Sequence, residues 1–415
     1  MTKLFDSYFT YVEKTEPPLL FHRWCFLASV GALLGRQFRL PFGDFHIYPN
    51  QYVMLIGDPG TRKSTAIKLA AKIITAVGYD KFAAERTSKE KFLLDLEGLE
   101  TDDANSVNSL FTELDSTVPR EVFITADEFN EFVGSGNLEF LSLLGSLWDW
   151  DKPESPFKQR LKTSRSVNIY QPTISILAGN THAGFSEAFP PQSLGQGFMS
   201  RLLLVHGEAS GKKIAFPEKP PDSVKLELVS TLREMQLKVS GDATMTSKAE
   251  SMLQTIYNSF QGLEDARFKH YSTRRYTHLL KLCLIITALN LRTEIRMEDV
   301  LVANTILTYT EHKMPSAMGE FGKAKNADVA SRIISVLSEA REPLDLSAIW
   351  KQVQSDLDRP DDLNKLLQGL LQGGKIQYVP RTATRQTQGY LIVRKMLSSR
   401  NVYVDYALLR EAQPT

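Results

Sequence analysis

Apolar positions fall into four regimes along the chain. Residues 1–50 read as a helical lead-in: residues 24–34 form an apolar run of helical length, followed by two short strand-like pieces near 38–41 and 45–47. From 51 to 210, short apolar runs alternate with helical segments. The runs are QYVMLIG (51–57), EVFITA (121–126), TISILAG (173–179) and RLLLVHG (201–207). Strands separated by helices predict a parallel sheet in an α/β layer fold. From 211 to 320 the reading is an all-helical lid, with helices over roughly 222–238, 246–266, 273–292 and 297–315 and no strand pattern between them. Residues 315–326 (PSAMGEFGKAKN) have linker composition. Residues 327–396 give three helices (about 327–339, 346–356 and 361–372) and then two strands, KIQYVP (375–380) and GYLIVRK (389–395). That order predicts a winged helix-turn-helix, with 397–415 as a C-terminal tail.

Composition narrows the classes. The 415 residues are 42% hydrophobic and 23% charged, which is ordinary for a globular chain of two or three domains. Forty-nine basic and 48 acidic residues leave a net charge of +1, so any nucleic-acid contact must come from local patches. Two distant cysteines, Cys25 and Cys283, and seven dispersed histidines argue against a disulfide framework or a structural zinc. The N-terminus has no apolar core of signal-peptide type. Residues 19–34 include His22 and Arg23 and are too short to span a bilayer. The expectation is a soluble, cytoplasmic protein without a membrane partner.

The chemistry concentrates at strand ends. Gly57-Asp58-Pro59-Gly60-Thr61-Arg62-Lys63-Ser64, with Thr65 after it, follows a strand and opens a helix, the context a Walker A phosphate loop requires. Glycines let backbone N–H groups turn toward phosphate oxygens, and the helix N-terminus adds its positive end. Lys63 would neutralise the β/γ-phosphates and the Ser64 hydroxyl would ligate Mg²⁺. Arg62 departs from the usual glycine before the lysine. The strand VFITA then ends in Asp127-Glu128, a Walker B pattern in which Asp127 would hold Mg²⁺ and Glu128 would polarise the attacking water. The alternative is two acids capping the next helix. Asn180 ends the strand TISILAG and could position that water with Glu128; otherwise it is a turn residue. Arg201 precedes the run LLLV.

Together these elements resemble the minichromosome-maintenance class of AAA+ replicative helicases. GDPGTRKS is similar to that class's Walker A, which also lacks the glycine before lysine. ADEFNEF resembles its Walker B, ILAGNTHAGF its sensor 1, and FMSRLLLV its arginine-finger strand. The resemblance implies that Arg201 reaches the γ-phosphate bound by the next subunit of a ring. STRRYTHLLKLCLIITALN and RMEDVLVANTIL resemble lid helices of the class and imply Arg275, or else Arg274, as sensor 2. Residues 1–210 are closer to the P-loop ATPase domains of phage and mobile-element replication proteins, whose run of the type YPNxYVxLIGxPGTRKST matches residues 48–65. No N-terminal DNA-binding barrel, zinc site or primase cassette is legible. The implied protein is a hexameric, ATP- and Mg²⁺-dependent DNA translocase acting on single-stranded or forked DNA, with a primase or origin-binding protein as a further partner. Rival readings are a helicase loader or initiator, and a nucleotide-switched scaffold or defence ATPase.

Two stretches suit DNA. Residues 157–166 hold Lys158, Arg160, Lys162 and Arg165 and no acid; in the resembled helicases a hairpin here grips the DNA backbone. In the winged segment, Lys375, Arg381 and Arg385 would face phosphate, whereas the reader helix starts with two acids and carries only Lys365 as a cation. A solvated basic loop and a protein-docking winged helix are the respective alternatives.

Overall fold

The computed structural model describes residues 3–98, 118–152, 155–161, 166–189, 197–319, 327–340, 342–354, 357, 359–372, 376–381, 388–392 and 402–410. Contacts divide the chain into two compact units, Met1–Gly319 with Asn401–Thr415, and Glu320–Arg400.

The first unit begins with α1 (Lys3–Val12), α2 (Leu19–Leu34) and the hairpin β1 (Phe38–Phe42)–β2 (Phe45–Ile47). Then come β3 (Tyr52–Ile56), α3 (Lys63–Val77), α4 (Lys89–Glu97), β4 (Glu121–Ala126), α5 (Phe129–Val133) and α6 (Leu138–Leu147). A second hairpin, β5 (Phe157–Arg160)–β6 (Ser166–Ile169), precedes β7 (Thr173–Asn180), α7 (His182–Ala188) and β8 (Leu203–His206). β3, β4, β7 and β8 form one sheet in the order β4-β7-β3-β8, and every pairing in it is parallel. The fold is therefore α/β, as the alternation of runs predicts. β3 and β7 are buried at every position, which is why their runs are continuously apolar rather than alternating. α2 is buried along almost its whole length and carries no apolar stripe, because it lies inside the unit; its Trp24 Nε1 donates to Thr310 Oγ1 at 2.8 Å.

After β8 the chain is mainly helical: α8 (Asp222–Lys238), α9 (Ser247–Ser259), α10 (Lys269–Leu289) and α11 (Met297–Met318), with short strands β9 (Gly241–Asp242), β10 (Thr244–Met245) and β11 (Glu294–Ile295) between them. The sequence reading expects no strands here, and several of its helix boundaries also differ. The helix expected over 246–266 stops at Ser259. Gly262 follows at φ +89°, a left-handed geometry that interrupts the helix, and α10 starts earlier than expected, at Lys269. α11 runs on through Pro315 to Met318; Arg267 donates to the carbonyls of Pro315 and Gly319 and ties its end down. Residues 402–410 return to α11, where Asn304 donates to the Val402 and Tyr403 carbonyls.

The second unit comprises α12 (Ala327–Glu339), α13 (Leu346–Val353), α14 (Pro360–Gln372) and the antiparallel pair β12 (Ile376–Val379)–β13 (Gly389–Ile392). Leu344 adds a bridge to Tyr390. Ile333, Leu337, Ile349, Leu363 and Leu367 make its core. Among the described residues, no helix is long and apolar enough to cross a membrane.

One buried cation ties α10 to the entrance of β3. Lys281 is 1% exposed; its Nζ donates to Asn50 Oδ1 (2.7 Å) and the Tyr48 carbonyl (3.0 Å) and lies 3.3 Å from Asp149 Oδ1. Burial pushes its pKa down to about 8, against the attraction of Asp149. Between pH 8 and 10.5 the unfolded chain keeps this proton while the folded protein loses it, so stability rises with pH across that window. The expected rise is up to about 3 kcal/mol, measured by urea unfolding at the two limits, and Lys281→Met should abolish it. Equal slopes in parent and variant would refute the assignment.

Candidate nucleotide-binding site

β3 leaves the sheet at Ile56, between its register partners Asn180 of β7 and His206 of β8. Because the strands are parallel, the phosphate-loop residues, Asp127-Glu128 and Asn180 all emerge at one edge. Gly57 passes so near β8 that a Cβ there would lie 2.5 Å from the Gly207 carbonyl oxygen. Gly60 sits at φ +90° with open space around it. Asp58, Pro59 and Gly60 are exposed, and Thr61 is folded inward, its Oγ1 donating to the Asp58 carbonyl at 2.9 Å.

Arg62 adopts φ +63°, ψ +31°. This left-handed geometry is free for glycine and costs another residue roughly 1–2 kcal/mol, a physical reason why glycine suits this position. The side chain is anchored by an ion pair to Glu16 Oε2 at 2.5 Å. The other Glu16 oxygen accepts from Ile214 N–H at 2.9 Å. That bond first, and Arg62 second, hold the carboxyl below its ordinary range.

Lys63 begins α3 and is 7% exposed. Its Nζ donates to the carbonyls of Gly57 (2.7 Å) and Asp58 (3.1 Å) and to Thr61 Oγ1 (3.3 Å). Burial lowers its pKa, opposed by the charges of Glu128 and Asp58. The first-turn N–H groups of Lys63, Ser64 and Thr65 have no acceptor within the helix. Ser64 is half-buried and Thr65 exposed.

Asp127 Oδ2 pairs with Lys68 Nζ at 2.7 Å. Lys68 is one helical turn beyond Ser64 and shares its face of α3. Glu128 is extended (φ −130°, ψ 112°) and makes no side-chain cap to α5, so its carboxylate is not engaged as the capping alternative requires. Burial raises its pKa and Lys63 draws it back down. Asn180 is fully buried. Its Oδ1 accepts from Thr181 N–H at 3.2 Å, and its Nδ2 has no hydrogen-bond partner.

Sequence reasoning missed two features here. A Cβ on Gly179 would meet the Asp127 carbonyl oxygen at 2.6 Å and Lys63 Cβ at 3.4 Å, so this glycine lets the tip of β7, the end of β4 and the start of α3 close together. His182 and His206 bring their rings within 5.5 Å beside the loop. Twenty-four residues separate them in sequence, and only the β3–β8 register reveals the pair. A separate cavity of about 370 Å³ borders Arg62 and Thr65, with Tyr11, Leu69, Ile214 and Pro217 in its walls.

Nucleotide and magnesium fit these residues. The open space at Gly60, the inward Lys63 ammonium and the orphaned Asn180 amide face a common edge. Among the described residues no three His, Cys, Asp or Glu side chains are grouped to hold a metal. Magnesium carried by a phosphate, one hydroxyl and one carboxylate needs no such group.

The arginines lie elsewhere. Arg201 ends a 3₁₀ turn (Met199–Arg201) at the start of β8. Five residues at about 3.3 Å each separate it from His206, so it stands at the opposite edge of the sheet from the phosphate loop. Its Nη1 donates to the Gly197 carbonyl (2.7 Å), its guanidinium lies 5.8 Å from the Trp148 ring centre, and its buried Nε has no partner. Arg274 is partly exposed and lies 3.8 Å from Asp149. Arg275, by contrast, is 3% exposed and committed inside the helical layer. It donates to both Glu311 oxygens (2.8 and 3.0 Å), Asn304 Oδ1 (2.9 Å) and Thr308 Oγ1 (3.0 Å). Of the two sensor candidates, Arg274 is the accessible one. Lys158 and Arg160 point outward from β5, and Arg381 is exposed. Lys162, Arg165, Lys375 and Arg385 lie outside the described residues.

No family model matches the chain, and no curated protein matches it. The site therefore rests on its own geometry.

Removing Arg275 would strand Glu311, which is itself buried. Arg275→Ala should destabilise the protein by about 3–5 kcal/mol, whereas Arg274→Ala should cost under about 1 kcal/mol. Urea unfolding of both variants decides. Equal, small losses would return Arg275 to the list of ligand-facing residues.

Proposed function

We propose that the chain is an ATP-driven, ring-forming DNA translocase of the AAA+ kind, a replicative helicase of a phage or mobile element. The observation that carries this reading is the division of chemistry between the two edges of the parallel sheet. Lys63, Ser64, Asp127, Glu128 and Asn180 gather at one edge, and Arg201 and Arg274 at the other. A phosphate on the loop of one chain has no arginine finger from that same chain. A head-to-tail neighbour would supply one, and head-to-tail contacts close into rings. The hexamer is the ring size proposed.

In the reaction, ATP and Mg²⁺ supply the transferable phosphoryl group and its counter-charge. Lys63 and the first-turn N–H groups of α3 would hold the phosphates, and Ser64 and Asp127 would hold the metal, Asp127 exchanging its ion pair with Lys68 for it. Glu128, its pKa raised by burial, would orient and deprotonate the attacking water, and the Asn180 amide donor would fix that water's position. The cavity beside Arg62 and Thr65 would take the base, with Tyr11 as a stacking surface. Helices α8–α11 correspond to the lid. The order α12, Leu344, α13, α14, β12, β13 supports a winged helix. Lys158 and Arg160 on the β5–β6 hairpin would grip DNA.

A second reading is a helicase loader or initiator. A reader helix rich in Arg, Asn and Gln would favour it, and α14, with Asp361 and Asp362 in its first turn and Lys365 as its one cation, is not of that sort. A primase or an origin-bound protein would then complete the machine.

The deciding measurement is ATP-dependent strand displacement on a forked duplex, with Glu128→Gln as control. Unwinding by the parent alone is the expected result. DNA-stimulated hydrolysis without unwinding would favour the loader, and hydrolysis indifferent to DNA a scaffold. Mixing inactive Lys63→Ala with inactive Arg201→Ala chains should restore partial hydrolysis, since some interfaces then carry both intact halves. No recovery would sink the trans assignment of Arg201.

A further inference from the structure

A second polar cavity, of about 430 Å³, lies where Glu121 opens β4 and Gln171 leads into β7. It is at the sheet edge away from the phosphate loop, five residues or roughly 17 Å along β4 from Ala126. Arg36, Arg39 and Lys81 line it together with Glu121 and Asp151.

Both carboxylates are engaged. Glu121 accepts from Arg36 N–H (2.7 Å) and from Lys81 Nζ (2.7 Å). Asp151 accepts from His46 N–H (2.6 Å) and Tyr48 OH (3.2 Å) and lies 3.7 Å from Arg36 Nη2. The cations keep unused hydrogens. Lys81 is half exposed and spends one of three hydrogens on Glu121. Arg39 spends Nε on Asp242 at 2.7 Å. Arg36 is 7% exposed and fixed by bonds from its Nη atoms to Thr173 Oγ1 (2.8 Å) and the Trp150 carbonyl (2.8 Å), with the Tyr48 ring 3.8 Å away. Its Nε is buried without a hydrogen-bond partner. Gln171, in the wall, holds φ +41°, a strained geometry for a residue with a side chain. A preorganised guanidinium, two underused cations and one orphaned donor ask for a multi-oxygen anion.

The neighbourhood says which one. Trp150 links the two regions: its carbonyl accepts from Arg36 of the cavity wall (2.8 Å), and its ring packs on Phe157 (5.3 Å) of the β5–β6 hairpin that carries the outward Lys158 and Arg160. We propose that this cavity binds backbone phosphates of a single-stranded nucleic acid that continues onto Lys158 and Arg160. The proposal rests on the reading of the chain as a nucleic-acid enzyme.

The test measures fluorescence anisotropy of a labelled oligo-dT of about twenty nucleotides, across about 50–200 mM salt. It compares the full chain with Arg39→Gln/Lys81→Gln; glutamine keeps a donor toward Glu121 and Asp242. The double variant should bind about tenfold more weakly, and its salt slope should fall by about 1.4, two phosphates at about 0.7 each. Fluorescent ATP analogue binding and melting temperature should not change. A folded variant with unaltered affinity and slope overturns the site and leaves the enzyme reading standing on the parent's binding. A parent that binds no oligonucleotide overturns the site, and whether it still hydrolyses ATP then judges the enzyme reading separately. If inorganic tripolyphosphate binding is lost in the variant while oligonucleotide binding is kept, the cavity serves free polyphosphate and the nucleic-acid assignment falls.

Discussion

The parallel register of β3 with β7 and β8 is the constraint from which the rest follows. It sets Ile56 between Asn180 and His206 and so fixes where the loop 57–62 leaves the sheet. Two glycines make that register possible at close range. Gly57 lets the loop pass the Gly207 carbonyl, and Gly179 lets Lys63 and Asp127 crowd the tip of β7. Any side chain at either would push apart the strand ends whose meeting makes the site. Arg62 shows the same pressure from the other side. The backbone there takes a glycine's geometry, and the residue is held in it by Glu16.

A second theme is the cost of buried charge and how it is met. Arg275, Lys281 and Arg36 are all nearly inaccessible, and each is surrounded by oxygens from distant parts of the chain. Arg275 and Lys281 bind helix to helix and helix to strand. Their partners leave little to offer a ligand, so they read as struts. Arg36 differs by one atom, an Nε with no partner, and by lying against a cavity. Asn180 differs in the same way at the opposite edge. A buried polar atom without a partner is costly, and these two orphaned atoms lie in the regions where ligands are proposed.

Much of the fold was legible because it depends on local pattern. Apolar runs bounded by glycine and acid marked all four sheet strands, and helical periodicity marked the layer after β8. Boundaries were legible only where a local signal was strong. Gly262 follows the end of a helix that periodicity carried too far, and Pro315 failed to end one, which runs on to Met318 with the Pro315 and Gly319 carbonyls held by Arg267. In the site, the run from Gly57 to Thr65 and the pair Asp127-Glu128 could be read directly, since strand-to-loop context and residue type are both properties of sequence.

What the sequence by itself determined is the α/β class, the strand–loop–helix setting of Lys63, and the residue types able to hold phosphate and metal. Tertiary structure alone decided that Arg201 and the loop 57–62 lie at opposite edges, that Arg275 is a strut while Arg274 is accessible, and that Arg36 and Lys81, forty-five residues apart, share a cavity. The physical reason is range. Periodicity and motif spacing report backbone geometry over a few residues, whereas register, burial and the sharing of hydrogen bonds depend on segments that meet only after the sheet has formed.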